Sequence, residues 1–322
     1  MRPKILVAES AGFSPEAVEV LRRAGDVTLA DLDRDGLLGA VGETDALCVR
    51  LRNRIDGEVM DAAPLLTVIA SLSTGLNHVD LEEAERRGIR VVSLKGESDF
   101  LKDIRATAEL TVGLVLTLAR HLPGAVEHAL EGGWNRDLFK GHELYGKTAG
   151  IVGYGRLGRI VARYLRAFDM RVLTADPYVE PSSVEEGVRL VALPELLAEA
   201  DLVSLHVSYS GETHDMIGRR EFEAMREGAW FVNTARGELV DESALLEALK
   251  SGRLAAAALD VLCEERSTGM GQHPLVAYAR EHDNLIITPH IGGCTQESME
   301  KTEIFLAEKL RAVLSSPPEA HG

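Results

Sequence analysis

Cysteine is scarce: Cys48, Cys263 and Cys294 are the only three among 322 residues, odd in number and without metal-ligand spacing. Such usage argues against a disulfide framework or a zinc site and fits a reducing compartment. Positive charge is also in deficit, with 35 basic against 51 acidic side chains and a net charge of -16. No broad cationic face is therefore expected for nucleic acid or an anionic membrane, and any cationic site must be local. No apolar stretch reaches the roughly 20 residues that span a bilayer. Met1-Arg-Pro-Lys4 runs straight into Ile5-Leu-Val-Ala8 without the apolar region of a secretory signal, so a cytoplasmic protein is expected. Internal repeats and low-complexity blocks are missing too, and the chain closes on a polar Ser315-Ser-Pro-Pro318 tail.

What is present is alternation. Between residues 4 and 94, short apolar runs at 4–8, 27–30, 46–49, 67–70 and 91–94 alternate with helical patterns at 14–24 and 80–88. That βαβα order predicts a parallel sheet. Residues 104–122, rich in Leu, Val and Ala, predict one long hinge helix. The alternation resumes at 148 and continues through 171–176, 201–207, 230–234, 255–261 and 285–288, with a helix at 242–251 among others. A last helix at 298–314 is free to return to the first half. A chain of this length holds two domains comfortably. The expectation is an α/β protein of two doubly wound parallel-sheet domains: a Rossmann-type unit at 102–293 inserted in a flavodoxin-like unit formed by 1–101 and 294–322.

The segment Thr148-Ala-Gly-Ile-Val-Gly-Tyr-Gly-Arg-Leu-Gly-Arg159 carries Gly153, Gly155 and Gly158 in dinucleotide spacing. Gly153 permits the tight turn after the strand, Gly155 lets backbone approach a pyrophosphate, and Gly158 lets the helix from Arg156 pack closely on the strand. Free amides at that helix start then face phosphate. Asp176 ends the next apolar run, where its carboxylate meets a ribose 2′-hydroxyl and repels a 2′-phosphate, so NAD is favoured over NADP.

Ligands of open α/β sheets bind beyond the carboxyl ends of strands. Three polar residues lie there: Arg236, Glu265 and His290. An arginine holds a carboxylate by two points, a histidine exchanges protons near neutral pH, and a glutamate orients and charges the imidazole. Together they are the set that oxidation of a 2-hydroxy acid demands, although singly the histidine reads equally well as a structural residue and the glutamate and arginine as solvated surface.

Gly146-Lys-Thr-Ala-Gly-Ile-Val-Gly-Tyr-Gly-Arg-Leu-Gly158, Val232-Asn-Thr-Ala-Arg-Gly-Glu-Leu-Val-Asp241, Ala258-Leu-Asp-Val-Leu-Cys-Glu-Glu265 and Thr288-Pro-His-Ile-Gly-Gly293 follow one another in order and spacing. In these motifs, over nearly its whole length, the chain resembles the D-isomer-specific 2-hydroxy acid dehydrogenases. The resemblance implies that His290 accepts the proton of the 2-hydroxyl, that Glu265 is its partner, and that Arg236 anchors the substrate carboxylate and carbonyl. It implies NAD contacts from Tyr154, Gly155, Arg156 and Leu157 at the pyrophosphate turn, from Asp176, and from His206 and Thr213 on the adenosine side. Thr234, Ala235, Asp260, His290 and Gly292 would contact the cofactor at its other end. It further implies a homodimer, with the hinge helix and the Trp134 region as interface, and domains that close on the substrate.

Ser71-Leu-Ser-Thr-Gly-Leu-Asn77 places a glycine where amides can converge on an anion, although a plain structural turn would read the same. The resemblance assigns Ser73, Thr74 and Gly75 to the substrate carboxylate. Arg50-Leu-Arg-Asn-Arg54 follows a strand, and in an extended segment Arg50 and Arg52 would point the same way, toward a second anionic group such as a phosphate. A solvated basic turn accounts for them equally. The likeness here is to the phosphoglycerate dehydrogenase branch, but Lys95-Gly-Glu-Ser-Asp-Phe-Leu-Lys-Asp-Ile-Arg105 is longer than that family's usual loop, placing Lys102 or Arg105 near the pocket, and the regulatory extension of many such enzymes is missing. A phosphonate-bearing acid fits as well. An NAD-sensing corepressor-like protein and a dehydrogenase of a small singly charged acid stand as alternatives.

Overall fold

The protein is described by a computed structural model covering residues 2–265 and 269–315. The tail beyond Ser315 lies outside the described residues. The chain forms two compact units, one from Met1–Ile104 with Thr295–Gly322 and one from Arg105–Cys294. Among the described residues no helix is long and apolar enough to cross a membrane.

The first unit is a five-stranded sheet of β1 (Lys4–Val7), β2 (Asp26–Leu29), β3 (Ala46–Val49), β4 (Val68–Ser71) and β5 (Arg90–Ser93), in the order β2-β1-β3-β4-β5. Every pair is parallel. The central β3 and β4 are buried at each position, as continuous apolar runs covered on both faces must be, whereas the edge strand β2 is largely exposed. Ser14 caps the Pro15–Ala24 helix by accepting the Ala17 amide, and Ala17, Val20 and Leu21 pack that helix onto Leu306, Ala307 and Leu310 of the Gln296–Ser315 helix. The order reverses between β1 and β3, which brings the loops leaving those two strands together.

The second unit holds β6 (Thr148–Val152), β7 (Arg171–Ala175), β8 (Val188–Leu190), β9 (Leu202–Leu205), β10 (Ala229–Asn233), β11 (Leu254–Leu259) and β12 (Leu285–Ile287). Their order is β12-β11-β10-β9-β6-β7-β8, again all parallel. The reversal lies between β6 and β9, so the glycine turn leaving β6 stands beside the loop leaving β9.

One expectation is corrected and two elements were not foreseen. The helix expected at 104–122 is Ala106–Ala119, and an unforeseen second helix, Leu122–Leu130, follows it after His121 at φ 49°. Residues 95–105 are no open loop: they include the Ser98–Leu101 helix, Phe100 stacks on Phe305 at 3.9 Å, and Lys309 Nζ reaches Glu97 Oε1 at 2.5 Å. Lys102 is exposed there, 3.8 Å from Asp99. β8 was not foreseen, since three half-exposed edge residues carry too little periodicity.

Candidate active site

The glycine turn has the backbone its spacing demands. Gly153 sits at φ +91°, a region that L side chains rarely adopt, and a Cβ on it would stand 2.7 Å from the His206 carbonyl oxygen. A Cβ on Gly158 would meet the Gly153 carbonyl oxygen at 2.1 Å, so the Arg156–Arg166 helix can approach β6 only through glycine. Gly155, at the cap of that helix, differs: its Cβ would meet nothing within 4 Å. The open space in front of Gly155 and the helix amides behind it suit a pyrophosphate, and the residues present fit NAD. Asp176 accepts the Tyr154 amide at 2.8 Å and the Tyr178 amide at 3.0 Å, which fixes its carboxylate beside the turn. Burial lowers the Arg156 guanidinium pKa.

Tyr154, expected at the pyrophosphate turn, has a core side chain, 1% exposed, and an amide bonded to Asp176, which ties the turn to that carboxylate. Leu157, on the first turn of the same helix, packs partly into the core. His206 lies where expected, at the reversal of strand order, its amide on the Val152 carbonyl at 2.8 Å and its ring 2.9 Å from Ser204 Oγ. Burial holds that imidazole down to about 4, so it is neutral at neutral pH. Thr213 Oγ1 accepts the Ser210 amide at 2.8 Å and closes the 208–213 turn.

Beyond β11 and β12 the chain assembles a histidine–carboxylate pair. His290 Nδ1 lies 2.6 Å from Glu265 Oε1. With Nδ1–H donated to the carboxylate, Nε2 is left for a substrate oxygen, and the glutamate stabilises the imidazolium formed when Nε2 takes a proton. Asp260, 1% exposed, holds the histidine loop: Oδ1 accepts Thr288 Oγ1 at 2.6 Å and the Ile291 amide at 2.8 Å, and Oδ2 accepts the Gly292 amide at 2.8 Å. The resemblance gave Asp260 to the cofactor; its bracing of the loop was not anticipated. A Cβ on Gly292 would press to 3.0 Å from Asp260 Oδ2, which explains glycine there.

Arg236 leaves β10 on a segment braced by Asn233, whose Oδ1 accepts the Ala235 amide at 2.9 Å and whose Nδ2 donates to the Arg236 carbonyl at 2.8 Å. The Ala235 carbonyl accepts Arg236 Nη1 at 2.6 Å, so both backbone groups of Ala235 are occupied. Thr234 is likewise engaged. Thr111 Oγ1 donates to the Thr107 carbonyl at 2.8 Å, so the 2.8 Å bond between the two threonine hydroxyls must be donated by Thr234. Glu242, raised in pKa by burial, accepts the Cys263 amide at 2.8 Å and stands 3.1 Å from His273 Nε2, steadying the segment that leads to Glu265.

In the first unit the amides of Thr74 and Gly75 meet no acceptor among the described residues, which leaves them available to an anion. Arg50 and Arg52 do not point one way, because residues 51–53 bend. Arg50 donates to Glu303, which is 2% exposed, and to the Ala11 carbonyl at 2.8 Å, and lies over the Phe13 ring. Arg52 pairs with Asp31 at 2.9 Å in an exposed bridge. The brace of this loop, Glu9, escaped the sequence reading: it is 4% exposed and accepts the Arg52 and Asn53 amides, each at 3.1 Å.

A glycine-turn nucleotide site and a histidine–carboxylate pair on one parallel sheet define a dinucleotide-dependent oxidoreductase class. Residues 112–292 match the sequence model described as "D-isomer specific 2-hydroxyacid dehydrogenase, NAD binding domain". The chain belongs to that family, and NAD is the cofactor of the matched domain. It is 39% identical over 310 residues to the D-3-phosphoglycerate dehydrogenase of Archaeoglobus fulgidus, covering 95% of this chain but 56% of the relative. The chain thus spans about half the length of that curated relative. Against the hydroxypyruvate reductase of Thermotoga maritima it is 36% identical over 285 residues, 88% of this chain and 90% of the relative. The D-lactate dehydrogenase of Aquifex aeolicus, solved with NAD and lactic acid, superposes with a TM-score of 0.84 at 28% identity, covering 97% and 95% of the two chains.

Proposed function

We propose that the chain is an NAD-dependent reductase or dehydrogenase that interconverts a 2-keto acid and its D-2-hydroxy acid. The observation carrying this reading is the 2.6 Å contact between His290 Nδ1 and Glu265, on a loop braced by a buried aspartate. Bound NADH supplies the hydride that C2 of the keto acid receives. His290 Nε2 gives its proton to the keto oxygen in that direction and takes it back from the hydroxyl in the other. Arg236 is proposed as a carboxylate anchor in the second unit and the Thr74 and Gly75 amides as one in the first, and Glu265 keeps the imidazole oriented and its charge stable.

A second anionic group on the substrate is supported by the likeness to a D-3-phosphoglycerate dehydrogenase. Of the two arginines, Arg52 is the better suited to hold it, because its bridge to Asp31 is exposed and of little energetic consequence, so exchange for a phosphate is easy. Arg50 is bound to a buried carboxylate and holds the fold.

The assembly proposed is a homodimer through the region of Trp134, which is 95% exposed, with Leu130, Leu138 and Tyr145, close by in the sequence, exposed as well. Light scattering of the wild type and of Trp134→Lys tests it, with a monomer expected for the variant.

The function is tested by following NADH absorbance with pyruvate, glyoxylate, hydroxypyruvate and 3-phosphohydroxypyruvate. Turnover of at least one is expected. NADH binding without turnover of any would point to a nucleotide-sensing binding protein instead.

A further inference from the structure

The loop proposed to hold the substrate carboxylate is fixed by a chain of side-chain hydrogen bonds whose direction can be deduced. Ser73 Oγ lies 2.7 Å from the Gly75 carbonyl, which can only accept, so the single Ser73 hydroxyl hydrogen is spent there. The 2.9 Å contact between Ser71 Oγ and Ser73 Oγ must then be donated by Ser71. With that hydrogen also spent, the 3.0 Å contact between Ser71 Oγ and His78 Nε2 leaves one arrangement: Nε2 carries a hydrogen and donates it. Ser71 is fully buried and His78 is 1% exposed, so water does not compete for the bond between them, while Ser73 is half-buried.

We propose that His78 is a positioning residue, whose Nε2–H drives a one-way relay through Ser71 and Ser73 to the Gly75 carbonyl and sets that loop for a carboxylate. The inference rests on the functional reading above. A carbonyl oxygen facing a carboxylate would repel it; drawing the Gly75 oxygen onto Ser73 removes that repulsion. The peptide is planar and trans, so the Leu76 N–H then points away from the Ser73 hydroxyl, on the side opposite the relay. The Thr74 and Gly75 amides, which meet no acceptor among the described residues, are presented on the same short loop. The relay is anchored at both ends. The His78 carbonyl accepts the Ile55 amide at 2.7 Å, and the Ser73 carbonyl accepts the Leu94 amide at 3.2 Å.

The test separates the relay from general stability and from the functional reading. In 15N-histidine spectra of the wild-type chain, with the resonance assigned by its loss in His78→Gln, Nε2 is expected to be the protonated nitrogen. A proton on Nδ1 alone overturns the relay whether or not the chain turns over any acid. In kinetics with the best keto acid of the panel, His78→Leu and Ser73→Ala are each expected to raise its KM about tenfold, the effect of one lost buried hydrogen bond. KM for NADH should not move. His78→Gln, which retains a donor, should recover most of the loss. An unchanged keto-acid KM in His78→Leu, or equal loss in the Leu and Gln variants, overturns the proposal. Turnover of no acid in the panel, with Nε2 protonated, would overturn the functional reading and with it the purpose given to the relay.

Discussion

The two units solve one structural problem with the same device and put it to different use. In each, a buried carboxylate just past one strand captures amides of the loop leaving the neighbouring strand. Glu9, after β1, holds Arg52 and Asn53 after β3, and Asp260, after β11, holds Ile291 and Gly292 after β12. In the second unit the stapled loop delivers His290 onto Glu265. In the first it delivers two arginines that part company, Arg50 into the buried Glu303 and Arg52 out to Asp31. A staple fixes backbone; what the loop then does depends on which partners its side chains meet.

The largest effect that would break this contrast is on His290. His290→Ala should lower kcat by about 10²–10⁴-fold, the usual share of a positioned acid–base group, while NADH binding, read by fluorescence titration, persists. Undiminished turnover would deny the second unit its proposed proton-transfer role. Next comes Arg50→Ala, which strands the Glu303 charge in the interior and should lower the unfolding free energy by about 3 kcal/mol in urea titrations. The staples themselves sharpen the comparison. Asp260→Asn and Glu9→Gln should each cost about 2 kcal/mol of stability through weakened charge-assisted bonds. Only Asp260→Asn should also depress kcat, because only that loop carries the proposed proton-transfer group. A pH effect of comparable size concerns His206. Folding lowers His206 from 6.5 to about 4, so between those values the unfolded chain binds a proton that the folded one does not. Its stabilising contribution is complete above about 6.5 and is lost as pH falls toward 4, and His206→Gln should flatten that part of the urea midpoint profile. Arg52→Ala, losing an exposed bridge, should change stability by less than about 1 kcal/mol.

The strands were legible because parallel sheets covered on both faces need continuous apolar runs, and β3, β4, β6, β9 and β10 are such runs. The pairing expected for His290 and Glu265 rested on motif order and appears as a contact. Long-range partnership was not legible. Nothing near Arg50 in the sequence points to Glu303, more than 250 residues on, and Glu9 reads as an ordinary surface acid until β1 and β3 are paired. The Leu122–Leu130 helix went unforeseen for another reason: none of its residues is buried.

Backbone handedness also marks the loops that meet at the reactive pair. Glu264 and His290 are two of the non-glycine residues with positive φ, at 51° and 53°, a region that disfavours side chains with a Cβ. Glycine would relieve both positions, by about 1 kcal/mol each. At the exposed Glu264 that relief carries no catalytic penalty, whereas at 290 it deletes the imidazole. A library selected only for heat resistance would therefore drift toward glycine at both positions, and the second of those steps would remove the proposed proton-transfer group.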